Sequence, residues 1–125
     1  EVTYPVNKCL LTGDPDRMAD VESRAAEAFE GRLSVYRSED FYVEMMPLGI
    51  DKAYGLAKLL QRLGYSRSQM ICCGDGFNDI SMIQYAGLGV AMANAGEQVR
   101  QSADYVAPHC DDDGLVDVIS RFIDV

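Results

Sequence analysis

Hydrophobic and polar positions follow two different patterns along this chain. In the first, Lys8-Cys9-Leu10-Leu11 reads as a short strand, ended by the turn Thr12-Gly13-Asp14-Pro15. Asp14 is suited to cap a helix that has Pro15 in its first turn. Val21, Ala25, Ala28 and Phe29 then fall on one helical face, and Gly31 is the stop signal. Leu33-Ser34-Val35-Tyr36 and Phe41-Tyr42-Val43-Glu44-Met45 flank the polar turn Ser38-Glu39-Asp40 and predict an antiparallel hairpin. The expected order for this part is β-α-β-β.

Pro47-Leu48-Gly49 breaks that pattern, so a boundary is expected between Met46 and Ile50, dividing the chain into residues 1–46 and 47–125. Strict strand–helix alternation follows. Asp51 is placed to cap a helix carrying Ala53, Leu56, Ala57, Leu60 and Leu63 on one face, weakened a little by Gly55 and ended by Gly64. Met70-Ile71-Cys72-Cys73 has the length and composition of a buried strand, and Gly74-Asp75-Gly76 ends it before a helical pattern begins at Asn78-Asp79. Leu88 to Met92 is a second strand, followed by Asn94-Ala95-Gly96 and a brief helix from Glu97 to about Ser102. Ala103 to Ala107 is a third strand, closed by Pro108. A last helix after Asp111-Asp112-Asp113-Gly114 has Leu115, Val118, Ile119 and Phe122 on its face. This β-α-β-α-β-α order is half of a doubly wound parallel sheet, an α/β fold.

Composition mainly excludes partners. The net charge of −9 is unsuited to a nucleic-acid surface, which needs a basic face, and to anionic lipid. No apolar run reaches membrane-spanning length, and no signal-peptide pattern opens the chain. Cys9, Cys72, Cys73 and Cys110 show no Cys-x-x-Cys spacing, and Cys72 and Cys73 read as small hydrophobes of a buried strand. A reducing cytoplasm is the expected location. A start at Glu1 rather than methionine points to a processed or cut chain. His109, beside Pro108 and three aspartates, reads as a solvated loop residue.

The chemistry concentrates in Gly74-Asp75-Gly76-Phe77-Asn78-Asp79. Asp75 stands where a strand ends, so its carboxylate projects into the crevice above the sheet, and carboxylates are ligands that Mg²⁺ accepts together with substrate phosphate. Asp79 follows four residues on and can support the same ion directly or through water. Asn78 offers an amide to a phosphate oxygen or a metal-bound water. Lys52, at another helix start, supplies a point charge for a phosphoryl group. Each has a plainer explanation: Asp79 as a partner of the helix dipole, Lys52 as an ordinary exposed lysine. Two carboxylates in one Gly-Asp-Gly-x-Asn-Asp loop after a buried strand outweigh those.

That loop resembles the fourth motif of the haloacid dehalogenase-like hydrolases. Lys52, after Pro47-Leu48-Gly49-Ile50-Asp51, resembles the lysine of their third motif, although Ala53 stands where the family usually has glycine. Ala86 to Ala95, Ala103-Asp104-Tyr105-Val106 and Asp112-Asp113-Gly114-Leu115 are similar to the corresponding stretches of the Cof-type, type IIB phosphatases. The resemblance implies Mg²⁺-dependent hydrolysis of sugar phosphates or similar small phosphorylated metabolites through an aspartyl-phosphate. It implies that Asp75 binds Mg²⁺, that Lys52 and Asn78 hold the phosphoryl group, and that Asp79 supports the metal shell. Residues 1–46 resemble the second half of the type IIB cap, and residues 47–125 the C-terminal half of the Rossmann-like core.

The family's nucleophilic Asp-x-Asp-Gly-Thr motif has no counterpart here. Asp14-Pro15-Asp16 has the Asp-x-Asp spacing, but Arg17-Met18 replace Gly-Thr, and helix capping explains Asp14 better. The chain is therefore expected to be a C-terminal portion, inactive alone, whose exposed sheet edges pair with the missing N-terminal half or with another copy. Two alternatives remain open: a non-catalytic module that binds metal and phosphate, and part of the phosphorylation domain of a P-type pump.

Overall fold

The computed structural model describes residues 3–123; the outermost residues of the two expected segments, 1–2 and 124–125, lie outside it. The chain divides into two compact units, Glu1–Ile50 and Asp51–Val125.

In the first unit, β1 (Cys9–Thr12) and β2 (Leu33–Glu39) both pair antiparallel with a central β3 (Tyr42–Pro47). Helix α1 (Pro15–Ala28) begins as its sequence requires, with Pro15 in the first turn and the Asp14 carboxylate accepting from the Asp16 amide at 3.1 Å. The helix lies on the sheet face that carries Val43 and Arg37, which are paired in register. Glu22 on the helix holds Arg37 through its backbone amide (3.1 Å) and its guanidinium (3.3 Å). Met18, rather than Ala28, is the residue that α1 buries most deeply; Ala28 is exposed. The hairpin turn is displaced because β2 runs to Glu39, with a register shift between Arg37 and Glu39.

The opposite face of that sheet holds a carboxylate that the strand pattern did not single out. Glu44 is only 8% exposed, and its Oε2 accepts from Lys8 Nζ at 2.9 Å and from the Tyr36 hydroxyl at 3.2 Å. Burial pushes its pKa up, but hydrogen bonds from Lys8, Ser38 and Tyr36 and the charge of Lys8 outweigh this and hold it below the usual carboxylate value.

In the second unit, β4 (Ile71–Gly74), β5 (Leu88–Met92) and β6 (Tyr105–Ala107) form a parallel sheet in that order. Because side chains alternate along a strand, β5 feeds two cores. Ala91 joins Ile83, Ala95 and Val99 on the side of α3 (Ile80–Tyr85) and α4 (Glu97–Gln101). Val90 and Met92 join Ala107 and Val118 on the side of α5 (Gly114–Phe122). Helices on both faces of a parallel sheet are the doubly wound arrangement expected from the alternation. Cys72 is buried and Cys73 half-buried in β4, and burial raises the pKa of both thiols.

Helix α2 (Lys52–Leu63) is capped by Asp51, which accepts from the Tyr54 amide at 2.7 Å, and ends at Gly64 in the left-handed region. Its apolar face is incompletely covered: Leu56, Ala57 and Leu60 are half-buried and Leu63 is exposed. On α5, Val118 is buried while Leu115 and Ile119, expected on the same core face, are exposed. A three-stranded sheet is too narrow to cover a full helical stripe, and β4 has a hydrogen-bonded neighbour on one side only among the described residues. No helix of the described residues is long and apolar enough to cross a membrane.

Close approach of α3 to β5 depends on Gly89, where a methyl group would stand 2.1 Å from the Ile83 carbonyl oxygen. Gly89→Ala is expected to cost about 1–3 kcal/mol. Gly55→Ala in α2, where nothing lies within 4 Å of the added carbon, should add up to about 1 kcal/mol through helix propensity. Urea unfolding of both variants checks this, and equal effects would contradict the packing of α3 on β5.

Candidate active site

Strand β4 delivers the chain to Gly74, and the next five residues turn back over its end. Phe77–Asp79 forms a single 3₁₀ turn, and α3 begins only at Ile80, later than the helical pattern from Asn78 suggested. The reason lies in Asp79. Its carboxylate points back into the loop, where Oδ2 accepts from the amides of Asp75 (3.1 Å) and Gly76 (3.0 Å). Its other oxygen, Oδ1, accepts from Lys52 Nζ, the first residue of α2. Asp79 therefore ties two elements together and does not cap α3 with its side chain. Gly74 makes room for this: a methyl group there would lie 2.5 Å from the Asp79 β-carbon.

Asp79 is 5% exposed. Burial pushes its pKa up, but the Lys52 hydrogen bond, the amides of Gly76 and Asp75, and the Lys52 charge outweigh it, holding the carboxyl below the usual range. A buried carboxylate is tolerable only when paired and hydrogen-bonded in this way.

Asp75 is the opposite case. It is exposed, just past the carboxyl end of β4, the position at which open α/β sheets bind ligands. Its Oδ2 accepts from Asn94 Nδ2 at 2.9 Å, and no partner is found for Oδ1 among the described residues. Asn78 is half-buried, with its side-chain oxygen against Gly76. The structure thus brings Asp75, Asn78, Asp79 and Lys52 together around one loop.

Asn94 was not singled out in the sequence. It lies in the turn after β5, where its Oδ1 also accepts from the Cys110 amide at 3.2 Å. The only advance signal was position: it follows the strand adjacent to β4. At the turn after β6, His109, Cys110 and Asp111 gather an imidazole, a thiol and a carboxylate. There His109 Nδ1 accepts from the Asp111 amide at 3.1 Å.

Known proteins place this loop in context. The family model of the haloacid dehalogenase-like hydrolases matches residues 2–119. The chain belongs to that family. A haloacid dehalogenase-like hydrolase from Bacteroides thetaiotaomicron superposes with a TM-score of 0.84 at 45% identity, over 98% of this chain and 46% of that one. A sugar phosphatase of subclass IIB of the superfamily superposes at 0.82 with 26% identity, over 95% of this chain and 44% of that one. The 5-amino-6-(5-phospho-D-ribitylamino)uracil phosphatase YcsE of Bacillus subtilis is 40% identical over 91 residues, 73% of this chain and 36% of that protein. The chain thus spans less than half the length of these relatives. The expected membership and the α/β fold are both borne out.

Because the Asp79 pKa is depressed in the fold, its stabilising contribution is complete above the carboxylate's unfolded pKa and is lost as pH falls through the folded value. Asp79→Asn should cost on the order of 1–3 kcal/mol at pH 7. The gap from wild type should narrow as pH drops below about 4. Thermal unfolding at several pH values tests this; a gap that stays constant into acid would contradict the ionised pair.

Proposed function

We propose that the protein carrying this chain hydrolyses phosphate monoesters of small metabolites, sugar phosphates or similar compounds, with Mg²⁺. The observation that carries this reading is the division of labour between two aspartates of one family loop. Asp79 is buried and paired with Lys52, while Asp75 stands exposed at the carboxyl end of β4, held through one oxygen by Asn94. An exposed carboxylate with an uncommitted oxygen suits a hard cation that takes one or two carboxylates alongside substrate phosphate and water.

In this reading Asp75 holds Mg²⁺, and Asp79 supports the metal shell from behind by fixing the loop amides. When bound, the ion neutralises charge on the transferring phosphoryl group. Lys52, anchored by Asp79 yet half-exposed, presents positive charge to the same group, and Asn78 donates from its amide. The nucleophilic aspartate comes from outside these 125 residues, since Asp14 is committed to capping α1. Residues 1–46 act as part of a cap that selects substrate, and the open edge of β4 pairs with the remainder of the core, or with a second copy if that is missing. The names of the relatives support a phosphorylated small molecule as substrate: one phosphatase is named for a sugar, another for a phospho-ribityl compound.

Full-length protein should hydrolyse p-nitrophenyl phosphate with Mg²⁺ and lose turnover on chelation. Asp75→Asn and Lys52→Ala should each lower kcat/KM by on the order of 10²–10³, while the 125 residues alone turn over negligibly. Chelator-resistant hydrolysis, or full activity of Asp75→Asn, would contradict the assignment.

A further inference from the structure

We propose that Asn94 is a positioning residue for Asp75, fixing which carboxylate oxygen faces the cation. This rests on the reading of Asp75 as the Mg²⁺ ligand and adds to it a residue on a neighbouring strand. An exposed aspartate is poorly suited to hold an ion in one geometry by itself, because its terminal torsion is broad and nearly two-fold. Something must clamp one oxygen. The Asn94 Nδ2–Asp75 Oδ2 hydrogen bond of 2.9 Å does so.

The orientation of the Asn94 amide is itself dictated. The backbone N–H of Cys110 can only donate, so the group it meets at 3.2 Å must be Oδ1, which leaves Nδ2 toward Asp75. The turn that carries Asn94 is held in the same way. Arg100 Nη1 donates to the carbonyls of Ala93 (3.3 Å) and Ala95, on either side of Asn94, and Ala95 is buried in the α3–α4 core.

Asp75, Asn94 and Cys110 follow the carboxyl ends of β4, β5 and β6 respectively, so this relay joins the three loops at the ligand-binding edge of the sheet. The chemistry of the clamp matters too. An uncharged amide fixes the carboxylate without neutralising it, whereas Lys52, reaching this loop from the start of α2, is paired with Asp79. Asparagine carries both the donor and the acceptor the relay needs at this length. Alanine carries neither, and aspartate would set a second carboxylate against Asp75.

The relay can be cut at either end. Asn94→Ala removes the clamp at an exposed turn residue whose φ is not positive, so the change is sterically undemanding. Cys110→Pro removes the N–H that orients Asn94 along with the thiol, and Cys110→Ala removes the thiol alone. The backbone at Cys110 suits proline, because His109 is extended (φ −54°, ψ 149°) and Cys110 opens a 3₁₀ turn. Cys110→Ala keeps the N–H and serves as its control.

The experiment measures Mn²⁺ binding, as the probe for Mg²⁺, by electron paramagnetic resonance on full-length protein. Turnover as a function of Mg²⁺ is followed in parallel. Asn94→Ala and Cys110→Pro should weaken Mn²⁺ about 10–100-fold, with turnover recovering at high Mg²⁺, while Cys110→Ala binds as wild type. Asp75→Asn separates the two levels. If Asp75→Asn loses the ion but Asn94→Ala and Cys110→Pro bind it like wild type, the positioning role is overturned and the metal assignment stands. If Asp75→Asn binds Mn²⁺ like wild type, the metal assignment itself fails and the positioning role with it.

Discussion

The Asp79 carboxylate accepts from the ammonium of Lys52 on one oxygen and from the amides of Asp75 and Gly76 on the other. A carboxylate this buried cannot be left unpaired without a penalty of several kcal/mol, so its partners constrain everything near it. Lys52 must open α2 at that place, which Asp51 secures by capping the same turn. Residue 74 must have no side chain. The Asp75-Gly76 backbone must turn its amides inward, which turns the Asp75 side chain outward. The exposed member of the pair thus owes its place to the buried one.

That arrangement separates two jobs that a pair of nearby carboxylates would otherwise confuse. Left equally exposed, two aspartates four residues apart would compete for one lysine and repel one another. Here Asp79 takes the positive charge and the backbone donors, and its pKa falls. Asp75 stays exposed and, among the described residues, accepts from the Asn94 amide alone. The first stabilises the loop, and the second is free to serve as the ligand the proposed function assigns it. In a family whose members hydrolyse phosphate esters, an organised loop and an available carboxylate are what the proposed chemistry requires of this part of the chain.

Local chemistry made much of this legible in the sequence. Asp14 with Pro15 and Asp51 with Gly64 mark helix ends by interactions within a few residues, and the strand-loop-helix order around Gly74 follows from composition. The clustering of Asp75, Asn78 and Asp79 was readable from one motif, and Lys52 from its resemblance to a second. Distant partners were not. The lysine that Asp79 holds lies 27 positions away, and an exposed cation by a helix start looked directed at phosphate alone. Asn94 acquires its role only when parallel pairing sets the ends of β4 and β5 side by side. Glu44 alternates correctly for an outward strand position, yet Lys8 and Tyr36 close over it. The exposure of Leu115 and Ile119 likewise reflects sheet width, which periodicity along one helix does not encode.

A crystal of the full-length protein soaked in Mn²⁺ and measured at the manganese absorption edge tests the central claim most directly. The account predicts an anomalous peak about 2.0–2.2 Å from Asp75 Oδ1 in octahedral surroundings, with Asn94 on Oδ2 and Lys52 still paired to Asp79. Manganese bound at the His109–Asp111 turn instead, or an Asp79 carboxylate released from Lys52 to bind the ion in place of Asp75, would contradict it.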